Sequence, residues 1–176
     1  MLDTLDPSRL ADQPVRRRLL ALIETSPGIH ASQLCREAGE PWGTVQYHLA
    51  LLHKGDLVRA VAAGRERRFF PPGMEDGRMR LLALLNQGRR HEVAAFIRDH
   101  PGTRQVDVCD ALDLARKTFR RAVAPLVGEG LIHEKRGLHS NRYFPLGNLP
   151  ELLGVPSPAA MPDPAPAAPV ADLGFA

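Results

Sequence analysis

Residues 27–58 have the sequence PGIHASQLCREAGEPWGTVQYHLALLHKGDLV, and this stretch decides the fold. Apolar residues before and within it recur at helical spacing, and residues that stop helices lie between them. Pro27-Gly28 ends a predicted helix over residues 16–23. A second short helix is predicted from about Ser32, a good N-cap, to Gly39, a good C-terminal stop. Two short helices joined by a turn therefore open the fold.

A third helix is predicted from about Pro41, which suits a first-turn position, to His53. Two strands follow, over residues 57–61 and 65–70, and a turn that ends in Gly64 separates them. The order is helix, helix, helix and a two-stranded hairpin. The sequence therefore predicts a helix-rich α+β fold.

Phe69 and Phe70 are neighbours at the end of the second predicted strand. Successive side chains of a strand point to opposite faces of its sheet. We therefore expect one of the two rings to enter the core and the other to cover the linker or a partner.

The chain contains an internal repeat, in which residues 23–71 align with residues 97–145 at an offset of 74 without a gap. The apolar positions keep their register, whereas most of the expected surface positions differ. The alignment pairs Pro27-Gly28 with Pro101-Gly102, Cys35 with Cys109, and Arg68-Phe69-Phe70-Pro71 with Arg142-Tyr143-Phe144-Pro145. Two copies of one unit are predicted, with a shared fold and different surface chemistry.

The unit resembles a winged helix-turn-helix domain of the prokaryotic and archaeal regulator type, which includes the ArsR and MarR relatives. The resemblance implies DNA binding, with the third helix in the major groove and the hairpin against the backbone or minor groove. The residues that carry it are Pro27-Gly28-Ile29-His30, Leu34-Cys35-Arg36-Glu37-Ala38-Gly39, Gly43-Thr44-Val45-Gln46-Tyr47-His48-Leu49 and Lys54-Gly55-Asp56-Leu57-Val58.

We therefore expect tandem winged helix-turn-helix domains followed by a disordered C-terminal tail rich in Pro and Ala. The connector between the copies is expected to pack between the domains, and a dimerisation helix is the alternative. The predicted segments are an N-terminal segment over 1–14, a first winged-helix domain over 15–73, a connector helix over 74–88, a second winged-helix domain over 89–147 and the tail over 148–176.

The distribution of charge points to a polyanionic partner. The chain of 176 residues has 23 Lys and Arg against 20 Asp and Glu, a net charge of +3. Both ends are acidic, and residues 16–147 hold 22 of the basic and 14 of the acidic side chains, about +8. A basic body of this kind is typical of nucleic-acid binding, with a merely solvated basic surface as the alternative.

Small and amide side chains on the free face of the third helix suit base contacts. Gln46 is able to contact adenine bidentately, and Thr44 suits a phosphate or a base edge. His48 lies nearer the buried side, where packing or a phosphate contact is expected, and Arg68 suits a salt bridge equally well. The candidate DNA-binding residues of the first copy are Thr44, Gln46, Tyr47, His48, Lys54, Arg65, Arg67 and Arg68.

The corresponding helix of the second copy, predicted over 114–127, is far more cationic. It lacks the Gly-Thr-Val-Gln-Tyr-His pattern, and Pro125 is expected to kink it. A backbone clamp on DNA and a domain that contacts proteins both remain open. The candidate DNA-binding residues here are Arg116, Lys117, Arg120, Arg121, Lys135, Arg136 and Arg142.

No catalytic motif, phosphate loop or metal-ligand spacing occurs, so we expect neither an enzyme nor a cofactor or metal. Cys35 and Cys109 are expected to be buried structural thiols. The expected function is a cytoplasmic, nucleoid-associated transcriptional regulator that binds double-stranded DNA. A chromatin protein without sequence preference and a protein-interaction adaptor are the alternatives. Beyond DNA, the expected partners are a second copy of the chain, bound through the connector helix, or another protein, bound through the tail. No contact with a membrane is expected.

Overall fold

The computed structural model describes residues 11–64, 66–138 and 140–154. From Pro14 to Phe70 it has three helices and three strands. These are α1 (Pro14–Thr25), β1 (Ile29–His30), α2 (Ala31–Ala38), α3 (Trp42–Lys54), β2 (Arg59–Ala63) and β3 (Glu66–Phe70). A connector helix, α4 (Asp76–Leu85), follows.

The same order of elements recurs after the connector. The elements are α5 (Arg90–Asp99), β4 (Thr103–Arg104), α6 (Gln105–Ala111), α7 (Arg116–Gly128), β5 (Ile132–Lys135) and β6 (Arg142–Pro145), and the short helix α8 (Leu149–Leu153) follows them. The first and last residues of α3 and α7 are related by the offset of 74 found in the sequence.

Each part contains a three-stranded antiparallel sheet, in the orders β1-β3-β2 and β4-β6-β5. The two registers coincide after the shift of 74 residues. Phe69 pairs with Ile29 and Ala60 in the first sheet, and Tyr143 pairs with Thr103 and Glu134 in the second. The sequence predicted only the hairpin of each sheet. A two-residue strand such as β1 is too short for its alternation to be recognised.

Helix α2 begins two residues earlier than predicted. The N-cap is His30, whose Nδ1 accepts from the backbone N–H of Gln33 at 3.3 Å and lies 2.6 Å from the hydroxyl of Ser32. The expected N-cap, Ser32, is thus the second helical residue. The predicted stop is confirmed, because Gly39 follows the helix in the left-handed conformation with φ 70°.

Two hydrophobic cores lie on either side of β3. The first packs α1, α2 and α3 against the sheet and includes Phe69, whereas Phe70 belongs to the second core. The expected alternation of the two rings is therefore confirmed, and Phe70 covers the connector.

The connector helix is part of the second core. Met79, Leu82 and Leu85 of α4 are all buried there, together with residues of α5 and α7. Because this apolar face is already covered within the chain, it is not available in this conformation for the dimer contact considered above.

The expectation of a disordered tail from residue 148 is wrong for its first part. Leu149, Leu152 and Leu153 lie in α8 and are buried in the second core. Their spacing places them on one face of a helical turn, and the second core supplies the apolar surface that this turn covers. Residues 155–176 of the predicted tail and residues 1–10 of the N-terminal segment lie outside the described residues.

Candidate nucleic-acid interface

Two equivalent helices, α3 and α7, each present one face to solvent. Helix α3 is anchored by Val45, Leu49 and Leu52, which are buried in the first core. Helix α7 is anchored in the same way in the second core, by Phe119, Val123 and Leu126. Because the anchors occupy matching positions in the repeat, the outward faces of the two helices also match.

The outward positions carry different chemistry in the two helices. In α3 they carry Trp42, Gly43, Gln46 and Tyr47, and in α7 they carry Arg116, Lys117, Arg120 and Arg121. Trp42 is 46% exposed and Tyr47 62% exposed. Aromatic and amide groups on one helix thus correspond to four cations on the other.

The remaining candidates on α3 are less accessible or lie at its end. Thr44 and Gln46 are half-buried, so each offers only part of its side chain to a ligand. Lys54 is exposed in the last turn, where its charge complements the partial negative charge of the helix C-terminus.

The positively charged side chains of α7 destabilise the helix. Arg116 and Arg120, and likewise Lys117 and Arg121, are four residues apart, a spacing at which like charges repel by about 0.2–0.5 kcal/mol per pair. The first turn contains no acidic residue, and positive charges there oppose the helix dipole. Within the described ranges, no carboxylate forms an ion pair with any of the four. An anionic ligand would relieve this repulsion.

Pro125 does not end α7. The helix continues to Gly128, and Pro125 itself is half-buried. The cationic residues all precede it in the helix, and the carbonyl of Arg121 is the one that lacks an N–H donor at position 125.

The hairpin of β5 and β6 adds three exposed cations, Lys135, Arg136 and Arg142. Its acidic residue, Glu134, is occupied: Oε1 accepts from the hydroxyl of Tyr143 at 2.9 Å and from Nδ2 of Asn141 at 2.6 Å. Burial, with the neighbouring carboxylate of Glu134, raises the pKa of Tyr143 to about 12. The hairpin therefore keeps its negative charge engaged within the sheet and its positive charges at the surface.

The hairpin of β2 and β3 offers less to a ligand than the sequence suggested. Arg67 is exposed, whereas Arg65 lies outside the described residues. Arg59 turns to the connector, where its Nη1 lies 2.6 Å from Oδ1 of Asp76.

Two predicted contact residues, His48 and Arg68, are buried, and this corrects the candidate list. Burial, followed by the nearby charge of Arg16, lowers the pKa of His48, which is 7% exposed. Arg68 is 4% exposed, and its Nη1 donates to the carbonyl oxygen of Gly28 at 2.9 Å. Its Nη2 donates to the carbonyl oxygen of Asn86, beyond the end of α4. Both side chains therefore belong to the protein interior and not to its surface.

The surroundings of both cysteines disfavour the reactive thiolate form. Cys109 is buried and Cys35 half-buried, and burial raises the pKa of both thiols. The described residues also contain no cluster of three or more metal-ligating side chains. In the same ranges, every helix is too short or too polar to cross a membrane.

Comparisons with known proteins address the first part of the chain most directly. Residues 13–82 match the family model HTH_HVO_0163_N, described as an N-terminal HTH domain. A relative from Methanocaldococcus jannaschii, the uncharacterized HTH-type transcriptional regulator MJ1398, is 23% identical over 134 residues. The match covers 76% of this chain and 34% of the relative, so the chain spans about a third of that protein's length.

Similar solved structures include two of bacterial origin. The DIP2311 protein from Corynebacterium diphtheriae has a TM-score of 0.33 and 16% identity, covering 81% of this chain and 28% of that one. ScpB from Mycobacterium tuberculosis has a TM-score of 0.32 and 19% identity, covering 86% of this chain and 99% of that one. The family match is the informative comparison: the chain carries a helix-turn-helix domain near its N-terminus.

Proposed function

We propose that this chain is a transcriptional regulator that binds double-stranded DNA through two tandem winged helix-turn-helix domains. In this proposal α3 enters the major groove and contacts bases. Helix α7 and the hairpin of β5 and β6 bind backbone phosphates. The role requires no catalytic group and no cofactor.

The helix-turn-helix match and the name of the archaeal relative support the class of protein. The identical register of the two sheets supports a second domain of the same kind. The observation that carries the proposal is the cationic face of α7. Its like charges destabilise the helix, and a polyanion such as DNA would offset that repulsion.

The difference between the two outward faces supports a division of roles. A nearly neutral face with Gln46 suits hydrogen bonds to base edges, where specificity arises. A face with Arg116, Lys117, Arg120 and Arg121 suits phosphates, which supply affinity without sequence preference. One chain with both faces has no need of a second copy to contact two successive grooves.

Fluorescence anisotropy with a labelled random-sequence duplex, titrated at two salt concentrations, tests the proposal. We expect binding that weakens steeply as the salt concentration rises. Selection of bound sequences from a random pool then tests the regulator role, for which an enriched motif is expected. No binding at low salt would contradict the proposal.

A second candidate is an architectural DNA-binding protein without sequence preference. The cation-rich face of α7 favours it, because phosphate contacts carry no sequence information. Steep salt dependence combined with no enriched motif would identify this role. A protein-interaction adaptor is the third candidate, and the exposed rings of Trp42 and Tyr47 favour it. Its mark would be salt-insensitive binding to a protein and none to DNA.

A further inference from the structure

We propose that Arg68 is a positioning residue that locks the first domain onto the end of the connector helix, so that α3 and α7 are held at one separation. The consequence for DNA rests on the proposed function. The lock itself is a property of the protein alone.

Three hydrogen bonds join the Pro27-Gly28 turn of the first domain, β3 and the end of the connector. Arg68 donates to the carbonyl oxygen of Gly28 at 2.9 Å and also to that of Asn86. The side chain of Asn86 donates in turn to the carbonyl oxygen of Pro27 at 3.4 Å. Arg68 is buried, so water does not compete for these bonds as it does at a surface.

The turn is in close contact with the connector at this point. Gly28 has φ 87°, and a Cβ atom there would lie 2.7 Å from Nδ2 of Asn86. A larger residue would therefore push the side-chain amide of Asn86 away from the turn and from its bond to Pro27. Glycine adopts this backbone conformation without strain and leaves room for the contact.

The second domain contains a natural comparison that lacks the lock. Arg142 lies at the equivalent position and donates to the carbonyl oxygen of Gly102 at 3.0 Å, but it is exposed. A Cβ atom on Gly102, which has φ 82°, would meet only the ring of Phe144, at 3.3 Å and beyond. The bond to the turn is thus common to both domains, whereas the bond to the connector belongs to Arg68.

Attachment to the connector amounts to attachment to the second domain. Met79, Leu82 and Leu85 of α4 are buried in the same core as Phe119 of α7. The ion pair between Arg59 and Asp76 also joins the first hairpin to α4. Both of its side chains are about half exposed, so it contributes little. Arg68 is therefore the main polar link between the two bodies.

A fixed separation matters because two linked binding faces gain affinity only when both reach their sites together. Such linkage raises affinity by roughly 10²–10⁴-fold when the geometry fits, and the gain is lost when it does not. The lock would hold the two faces ready for one composite site.

Distance measurement by double electron–electron resonance tests the lock without DNA. Spin labels are placed at Arg36→Cys and Asp110→Cys, equivalent exposed positions on α2 and α6, in the full chain with Cys35→Ala and Cys109→Ala. We expect one narrow distance distribution for this background. With Arg68→Met added, we expect the narrow peak to be lost, whereas Arg142→Met should retain it.

A second matched pair keeps the test decisive if Arg68→Met does not fold. Gly28→Ala and Gly102→Ala introduce the same backbone strain, but only the first pushes against Asn86. Loss of the narrow peak in Gly28→Ala alone supports the lock. A narrow peak in every folded variant, or loss of the peak in Arg142→Met or Gly102→Ala as well, overturns it.

Titration of unlabelled protein with a random-sequence duplex of about three helical turns adds the DNA consequence. We expect Arg68→Met or Gly28→Ala to weaken binding by about tenfold, because part of the linkage gain is lost. Gly102→Ala should bind as the parent does and is the control for binding, since Arg142→Met also removes a candidate phosphate contact. Unchanged affinity with a broadened distance distribution would contradict the coupling to DNA but leave the lock intact. Absence of binding by the parent chain would overturn the proposed function instead.

Discussion

The Nη1 atom of Arg68 donates to the carbonyl oxygen of Gly28 at 2.9 Å, and Arg142 donates to that of Gly102 at 3.0 Å, in both cases forty residues back along the chain. The repeat therefore extends to individual hydrogen bonds. The two arginines nevertheless differ in burial and in the second bond that only Arg68 makes to Asn86.

Replacement of Arg68 should destabilise the protein more than replacement of Arg142. Arg68→Met leaves the buried carbonyl of Gly28 without this partner, and we expect a loss of about 2 kcal/mol in the free energy of unfolding. Arg142→Met acts at the surface, where water replaces the bond, so a loss below about 1 kcal/mol is expected. Urea unfolding of the two variants measures the difference. Equal losses would show that burial of Arg68 has no energetic consequence.

The sequence predicted those parts of the fold that depend on local patterns. The helical spacing of apolar residues and the flanking stop residues indicated α3, and the gapless repeat indicated the matching helix α7. The alternation of Phe69 and Phe70 indicated that one ring enters the core and the other covers the linker or a partner, and the two rings do lie in different cores. Patterns of this kind depend on residues close together in the chain.

Features that depend on distant residues were not predictable in the same way. The burial of Arg68 requires the turn at Gly28 and the end of α4 to meet, and no local pattern announces that contact. Leu149 and Leu152 become helical because the second core offers them a surface. The exposure of Trp42 follows from its place in the first turn of α3, where the helix extends beyond its core.

Truncation of the chain tests the corrected account of the tail. Removal of residues 149–176 exposes the part of the second core that α8 covers, and each buried leucine lost costs roughly 1.5–3 kcal/mol. We therefore expect a marked fall in melting temperature. Removal of residues 155–176 alone is the matched control and should leave the melting temperature nearly unchanged. Equal stability of the two truncated chains would show that α8 contributes nothing to the core.

The candidate base-contacting residue has a matched partner in the repeat. Gln46→Ala should reduce discrimination at one base pair of a selected site by about 1–3 kcal/mol and leave the salt dependence unchanged. Arg120→Ala, at the equivalent position of α7, should instead weaken binding to all sequences and lower the salt slope by about one. Titrations against the selected site and its single-base variants separate the two effects. The reverse pattern would exchange the roles of the two helices.

Acidification should destabilise the fold through its buried histidines. Burial lowers the folded-state pKa of His48, so the unfolded chain binds a proton first as the pH falls below the ordinary value of 6.5. The contribution of His48 to the free energy of unfolding is therefore complete above pH 6.5. It is lost as the pH decreases toward the lower pKa of the folded state. Glu40 raises the pKa, and Arg16 lowers it further.

Chemical unfolding at several pH values between about 5 and 8 measures this dependence, which His48→Gln should make shallower. His30 and His91, whose pKa values burial also lowers, should preserve part of the slope. An identical slope in the parent chain and His48→Gln would exclude His48 as a contributor.

The proposed contact between α7 and DNA phosphates is tested by the salt dependence of binding. Anisotropy titrations of the full chain and of the Lys117→Ala, Arg120→Ala, Arg121→Ala triple variant with one random-sequence duplex give the slope of log affinity against log salt concentration. We expect steep dependence for the parent and a slope smaller by about three units, or somewhat less, for the variant. Equal slopes for the two proteins would remove α7 from the DNA interface.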